Sequence, residues 1–146
     1  AQLGRLARLT SVDLYGIDIN NEALVVAKKN YTAINFLRGS ALDLPFRDSY
    51  FDLVFTSGVL IHIAPDDCVK AMKEIYRVSR KYIWGFEYFA DSYIPIEYRG
   101  HSDRCWKANF SRLYLELFPD LALVKEERYP YLSDTNVDTM FLLQKK

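Results

Sequence analysis

Short, almost unbroken apolar runs alternate with segments of helical period along this chain, and that alternation constrains its fold more than any other feature. Residues 51–56 (FDLVFT) are the clearest apolar run. A strand of that character is expected where a parallel sheet is covered on both faces. Residues 12–19 (VDLYGIDI), 33–37 and 82–89 (YIWGFEYF) read as further strands. Between them the period changes to that of a helix. Asn20 or Asn21 caps a helix with Glu22 in its first turn, Ala23, Leu24, Val26 and Ala27 on its buried face, and Lys28 and Lys29 at its end. Pro65 and Asp66 open a second helix running to about Ser79, with Ala71, Met72, Ile75 and Val78 as its core stripe. Residues 38–50 are turn-rich, and residues 90–105 are irregular. A helix over 108–118 and strands over 121–128 and 137–143 complete the order. Strands alternating with helices predict an α/β, Rossmann-like, doubly wound and mostly parallel sheet. The last two strands, with no helix between them, predict an antiparallel hairpin at one edge.

The 146 residues are enough for one domain, 1–146. Lys and Arg number 19, as do Asp and Glu, so the whole chain carries no net charge to draw it to nucleic acid or to an anionic membrane. No apolar run reaches the length that spans a bilayer. Cys68 and Cys105 read as unpaired thiols of a reducing, cytoplasmic compartment. Leu3, Leu6, Ala7 and Leu9 recur at helical spacing from the first residues, without a cap before them. This predicts that residues lie upstream.

Ligands of open α/β sheets bind at the carboxyl ends of the strands. Asp18 ends the first visible strand; a carboxylate there offers two acceptor oxygens to the hydroxyls of a ribose. Its plainer reading is a helix N-terminal acid or a partner for Lys28 or Lys29. After the next strand, Gly39 permits a turn, Ser40 offers a hydroxyl, and the Ala41 and Leu42 backbone can meet an adenine edge. The plainer reading is an ordinary turn with a Pro45 exit. The FDLVFT strand runs into Thr56, Ser57 and Gly58, small residues that let a ligand approach the backbone. An apolar turn bearing His62 follows, as a base, a pocket wall or a hydrogen-bonded structural residue.

The ordered strings YGIDINNEALVVAKKN, GSALDLPF and FDLVFTSGVLIHIAP resemble the class I S-adenosylmethionine-dependent methyltransferases. Residues 94–104 (IPIEYRGHSDR) narrow the resemblance to small methyltransferases associated with pseudaminic acid biosynthesis, a pathway of bacterial surface sugars. The resemblance implies S-adenosylmethionine as cofactor. Asp18 and Ile19 would hold its ribose, Ser40, Ala41 and Leu42 its adenine, and Thr56, Ser57 and Gly58 its methionine part and methyl group. Ser40 stands where the family more often has Asp. The family's first strand and its glycine-rich loop have no counterpart here. Their absence would leave a slot of roughly 10 Å, twice the strand spacing, and predicts either a longer protein or a strand supplied by another chain.

On the acceptor side, Tyr88, Tyr98, Arg99, Arg104 and Lys107 form a cationic, aromatic set suited to a small molecule such as a nucleotide-linked sugar. The plainer reading pairs these charges with Asp91, Glu97 and Asp103. His101, His62 and Glu87 are the candidate catalytic residues, His101 as proton acceptor for the methylated group. No metal is expected, because His101, Asp103 and Cys105 lack the further ligands of a structural site. A homo-oligomer is compatible with the sequence. Two alternatives remain at this level: a nicotinamide-dependent enzyme, against which GSALDLPF argues, and a non-catalytic methyltransferase-like scaffold or subunit.

Overall fold

The computed structural model describes residues 2–146. The chain divides into two compact units, Ala1–Pro45 and Phe46–Lys146.

In the first unit, helix α1 (Gln2–Leu6) precedes strand β1 (Tyr15–Asp18), helix α2 (Asn21–Asn30) and strand β2 (Asn35–Arg38). β1 and β2 run parallel, from Tyr15 opposite Asn35 to Asp18 opposite Arg38. A parallel pair needs a crossover, and α2 supplies it. Asn20 caps α2: its Oδ1 accepts from the Glu22 and Ala23 amides at 2.9 and 3.1 Å. β1 is shorter than the apolar run that predicts it, because β2 offers ladder partners only from Asn35 onward. The expected buried face of α2 is likewise narrower. Leu24 is buried, whereas Val26 is 57% exposed.

The second unit contains strand β3 (Phe51–Ser57), a 3-10 turn at Leu60–His62, helix α3 (Pro65–Val78), strand β4 (Ser79–Tyr88), short strands β5 (Ile94–Pro95) and β6 (Trp106–Lys107), helix α4 (Phe110–Leu117), and strands β7 (Leu121–Pro130) and β8 (Val137–Lys145). The larger sheet has the order β3-β4-β8-β7. β3 and β4 are parallel; β8 runs antiparallel to both β4 and β7. The predicted closing hairpin is therefore present, with β7 at the edge. β5 lies inside the segment expected to be irregular and pairs antiparallel with β6 just beyond it.

The core of this unit lies on one face of the sheet. Pro65 occupies the first turn of α3, where its missing N–H costs nothing. The expected stripe of Ala71, Met72, Ile75 and Val78 is buried, joined by Cys68. These residues, with Phe110 and Tyr114 of α4, cover Ile83, Gly85, Phe141 and Leu143. The alternate set of β4, Tyr82, Trp84, Phe86 and Tyr88, stays half-buried. β3 departs from expectation: of its seven residues only Thr56 is buried, and Leu53 is 44% exposed. An apolar run suits a covered strand, but it does not itself provide the cover.

Gly85 sits opposite Phe141 in the β4–β8 ladder, and a Cβ there would lie 2.1 Å from the Phe141 ring. Gly85→Ala gains at most about 1 kcal/mol by restricting the unfolded chain. Overpacking against a ring that is 1% exposed costs about 1–3 kcal/mol. The net expectation is a lower midpoint in thermal or urea unfolding, recovered in part by Phe141→Leu.

Candidate active site

Strand pairing brings the chemistry-bearing residues of each unit to the carboxyl ends of its strands. In the first unit, the Asp18 carbonyl accepts from the Gly39 amide at 3.1 Å, so the end of β1 is tied to the turn after β2. Asp18 itself is exposed, and its Oδ1 accepts from the Asn20 amide at 2.8 Å. Its Oδ2 has no hydrogen-bond partner among the described residues. Ile19, next to it, is 69% exposed. The Ser40 Oγ accepts from the Leu42 amide at 3.1 Å, and Ser40 bridges Asp43, so residues 40–43 form a closed turn with Ala41 and Leu42 half-buried. Asp18 and residues 40–42 thus share one end of the β1–β2 pair.

In the second unit, β3 ends in Thr56 and Ser57, and Gly58 follows at φ +62°. A Cβ at Gly58 would meet little, so conformation rather than space calls for glycine there. The Gly58 amide donates to the Phe86 carbonyl at 2.9 Å. The next turn is organised by Glu87. This side chain points to the helix-covered face of β4 and is 2% exposed. Its carboxylate accepts from the Val59 amide at 3.0 and 3.2 Å and from the Ile61 amide at 3.4 Å. The Thr56 hydroxyl also bonds it. Burial raises the Glu87 pKa to about 7, against the lowering effect of these bonds. Expected as a catalytic group, Glu87 is enclosed and committed to backbone N–H groups. It holds the turn and presents nothing to a substrate.

That turn carries His62, which is exposed. Its Nδ1 lies 2.9 Å from the Arg104 carbonyl oxygen. A carbonyl oxygen only accepts, so Nδ1 bears a proton and donates. The His62 ring also packs against Tyr98, with centroids 5.1 Å apart. The structure therefore joins His62, Tyr98 and Arg104, which lie far apart in the sequence. Just past the turn, the Tyr93 hydroxyl donates to the Ile63 carbonyl at 3.0 Å.

Residues 98–101 make a tight turn. Tyr98 and His101 exchange both backbone hydrogen bonds, while Arg99 and Gly100 have φ of +53° and +78°. Positive φ at both central positions is the pattern of a two-residue hairpin. It places Arg99 at the tip, with its guanidinium 5.3 Å from the Tyr98 ring centre. His101 joins this turn through its backbone and is exposed. Among the described residues, no ion pair links Arg99, Arg104 or Lys107 to a carboxylate, so the expected pairing with Asp91, Glu97 and Asp103 is not formed. Lys107 instead donates to the Asn136 side chain and lies 6.0 Å over the Tyr88 ring.

Sequence reasoning missed the residues facing Tyr88 from the β7–β8 turn. The Tyr131 hydroxyl donates to Asp138 Oδ2 at 3.0 Å, and its ring meets that of Tyr88 edge-on at 6.0 Å. Burial raises the Asp138 pKa, and burial, then the bonds to Tyr88 and Asp138, raise that of Tyr131. The available signal was an aspartate at the start of a mostly apolar strand, since a buried carboxylate requires a partner.

The family model described as a methyltransferase domain matches residues 1–82. Demethylmenaquinone methyltransferase of Chlorobaculum tepidum is 31% identical over 90 residues, which are 62% of this chain and 36% of that protein. The chain thus spans about a third of the length of the curated relatives it matches. A solved S-adenosylmethionine-dependent methyltransferase of Methanosarcina mazei superposes with a TM-score of 0.76 at 16% identity, covering 99% of this chain and 86% of the other. The [4+2]-cyclase SpnF superposes with a TM-score of 0.77 at 13% identity, covering 98% and 70%. These two likenesses establish the Rossmann-like fold. With the match over residues 1–82, the chain belongs to the methyltransferase domain family, the class I S-adenosylmethionine-dependent methyltransferases.

Proposed function

We propose that the protein transfers a methyl group from S-adenosylmethionine to an oxygen or nitrogen of a small, anionic acceptor. The observation that carries this reading is Asp18: a strand-end carboxylate with one oxygen fixed by the Asn20 amide and the other open. Such an acceptor pair fits the two hydroxyls of a ribose. Ile19 lies beside them, and Ser40, Ala41 and Leu42 offer an adenine edge a closed turn at the same end of β1–β2. In the second unit, Thr56, Ser57 and Gly58 are the residues assigned to the methionine part.

The bound cofactor supplies an electrophilic methyl on a sulfonium, so little covalent work is left to the protein. With the cofactor held by Asp18, Ser40 and the Thr56–Gly58 segment, the acceptor's lone pair would take the methyl and the sulfonium sulfur would leave with its electron pair. The chain must orient the nucleophile and accept its proton. His62 is the better placed of the two histidines, because the Arg104 carbonyl fixes its tautomer and leaves Nε2 as acceptor. His101 is the second candidate.

For the acceptor, Arg99, Arg104 and Lys107 carry no carboxylate partners, and Tyr88 and Tyr98 stand beside them. This supports a phosphate- or carboxylate-bearing molecule, and a nucleotide-linked or surface sugar is the class we assign. A cytoplasmic enzyme would meet such a substrate, and no helix among the described residues is long and apolar enough to cross a membrane. The other reading, a methyltransferase-like scaffold, predicts no cofactor binding.

Calorimetry with S-adenosylmethionine separates the two readings. Asp18→Ala removes a charge-assisted contact worth about 1.5–3 kcal/mol, so affinity is expected to fall roughly ten- to hundred-fold. Unchanged affinity would remove Asp18 from the ribose site. On the acceptor side, Arg99→Gly keeps the positive-φ turn and loses only the guanidinium. Thermal stability should hold within about 0.5 kcal/mol of wild type. Affinity for a nucleoside diphosphate sugar such as UDP-glucose should drop. Arg99→Val, β-branched at the same φ, costs about 1–3 kcal/mol and serves as the contrast.

A further inference from the structure

We propose that Asp138 and Asn136, where β8 begins beside the end of β4, form a subsite for two neighbouring hydroxyls of a sugar ring. Asp138 accepts from one hydroxyl, and Asn136 donates to the next. That this ring belongs to the methyl acceptor rests on the function proposed above; the binding chemistry does not.

Asp138 is only 8% exposed, yet half of its acceptor capacity is unused. Oδ2 accepts from the Tyr131 hydroxyl at 3.0 Å, and Oδ1 accepts from no group among the described residues. No lysine or arginine among them pairs with it. A nearly buried carboxylate in that condition is costly. Oδ1 is nevertheless not sealed in. The enclosed side-chain atoms without a partner are the Tyr114 hydroxyl and Thr139 Oγ1, and Asp138 Oδ1 is not one of them. It therefore reaches the surface, where a donor can meet it.

The neighbours define that donor. Asp138 stands opposite Tyr88 in the β4–β8 ladder, so both side chains lie on the face of the sheet turned away from Glu87. Asn136 precedes Asp138 by two residues and closes the β7–β8 turn, its carbonyl accepting from the Tyr131 amide at 2.9 Å. Lys107 donates to Asn136 Oδ1 and lies 6.0 Å over the Tyr88 ring. The Tyr131 ring meets that of Tyr88 edge-on at 6.0 Å. These contacts join Lys107, Asn136, Tyr88, Tyr131 and Asp138 into one corner. A lysine only donates, so its partner on Asn136 is the oxygen. The Nδ2 hydrogens of Asn136 then bond nothing among the described residues.

This pair of open atoms discriminates between ligands. An anionic group would meet the charge of Asp138. An ammonium would meet that of Lys107, and it could not accept from Asn136. A hydroxyl both donates and accepts, so two neighbouring hydroxyls satisfy Oδ1 and Nδ2 together. The Tyr131 ring is 38% exposed and offers an apolar surface beside them for the C–H face of a pyranose.

Calorimetry of the full chain with UDP-glucose and with UDP isolates the ring. UDP-glucose is expected to bind roughly tenfold or more tightly than UDP, the scale of one hydrogen bond to a charged group. Asp138→Ala should erase that difference while leaving UDP affinity as it is. Tyr131→Phe keeps the carboxylate but no longer fixes it, and should reduce the difference in part. Equal affinities in the wild type, or a difference that survives Asp138→Ala, would overturn the proposal, as would binding of neither nucleotide. The alanine removes a half-satisfied charge, and the exposed Tyr131 hydroxyl can turn to water, so the variant is expected to fold. If it does not, proton–nitrogen spectra of the wild type decide. The Asn136 side-chain amide signals should move with UDP-glucose and stay with UDP; movement with both, or with neither, overturns the proposal equally. No titration here contains S-adenosylmethionine, so failure of this subsite and failure of the methyl-transfer reading appear in different experiments.

Discussion

The parallel pairing of β3 with β4 is the constraint on which the rest of the second unit depends. Parallel strands cannot be joined by a tight turn, so the chain must cross the sheet between them, and α3 makes that crossing. A helix crossing one face has to bury a stripe there. Cys68, Ala71, Met72, Ile75 and Val78 are that stripe. The same pairing fixes where chemistry can gather. Ser57 falls opposite Phe86, so the ends of both strands open on one edge. β8, antiparallel to β4, begins at that edge with Asp138 opposite Tyr88. Ser57, Tyr88 and Asp138 share that edge because their ladders end there.

Glu87 belongs to that edge and to the core at once. Strand alternation puts it on the helix-covered face, in line with Ile83 and Gly85. An isolated carboxylate there would be far too costly. It is tolerated because the turn after β3 brings amide hydrogens to it, and the turn is ordered because the carboxylate is there to accept them. Each makes the other admissible. The raised pKa records that the compensation is incomplete: three backbone contacts and a hydroxyl do not fully replace water.

Much of the fold was legible in the sequence, for an identifiable reason. Apolar period separates a strand from a helix by geometry alone, so α2, α3, α4 and the last two strands fall close to where the pattern puts them. Asn20 was legible as a cap because its acceptor works on amides two and three residues away. Coverage was not legible. FDLVFT is apolar yet mostly half-buried or exposed, and Val25 and Val26 of α2 are exposed, because period reports a residue's character and not what packs against it. The site divides along the same line. Asp18 and the Gly58 turn could be read from local strings. The bond from Glu87 to Val59 joins residues 28 apart, and the pairing of Tyr131 with Asp138 depends on a ladder register; neither leaves a local trace.

The fold by itself does not determine the reaction. SpnF, a [4+2]-cyclase, shares this architecture at a TM-score of 0.77. At one strand edge of the second unit, the His62 Nδ1 meets a carbonyl, and Arg99 and Arg104 form no ion pair among the described residues. A histidine whose Nδ1 faced a carboxylate would be drawn toward the imidazolium, which cannot accept a proton. Facing a carbonyl instead, the His62 Nδ1 donates, and the ring is held in one orientation by main chain. Arg99 is oriented in a comparable way by backbone, at the tip of a two-residue turn. The common device is main chain fixing side chains at a strand edge. It costs less than burying further charge.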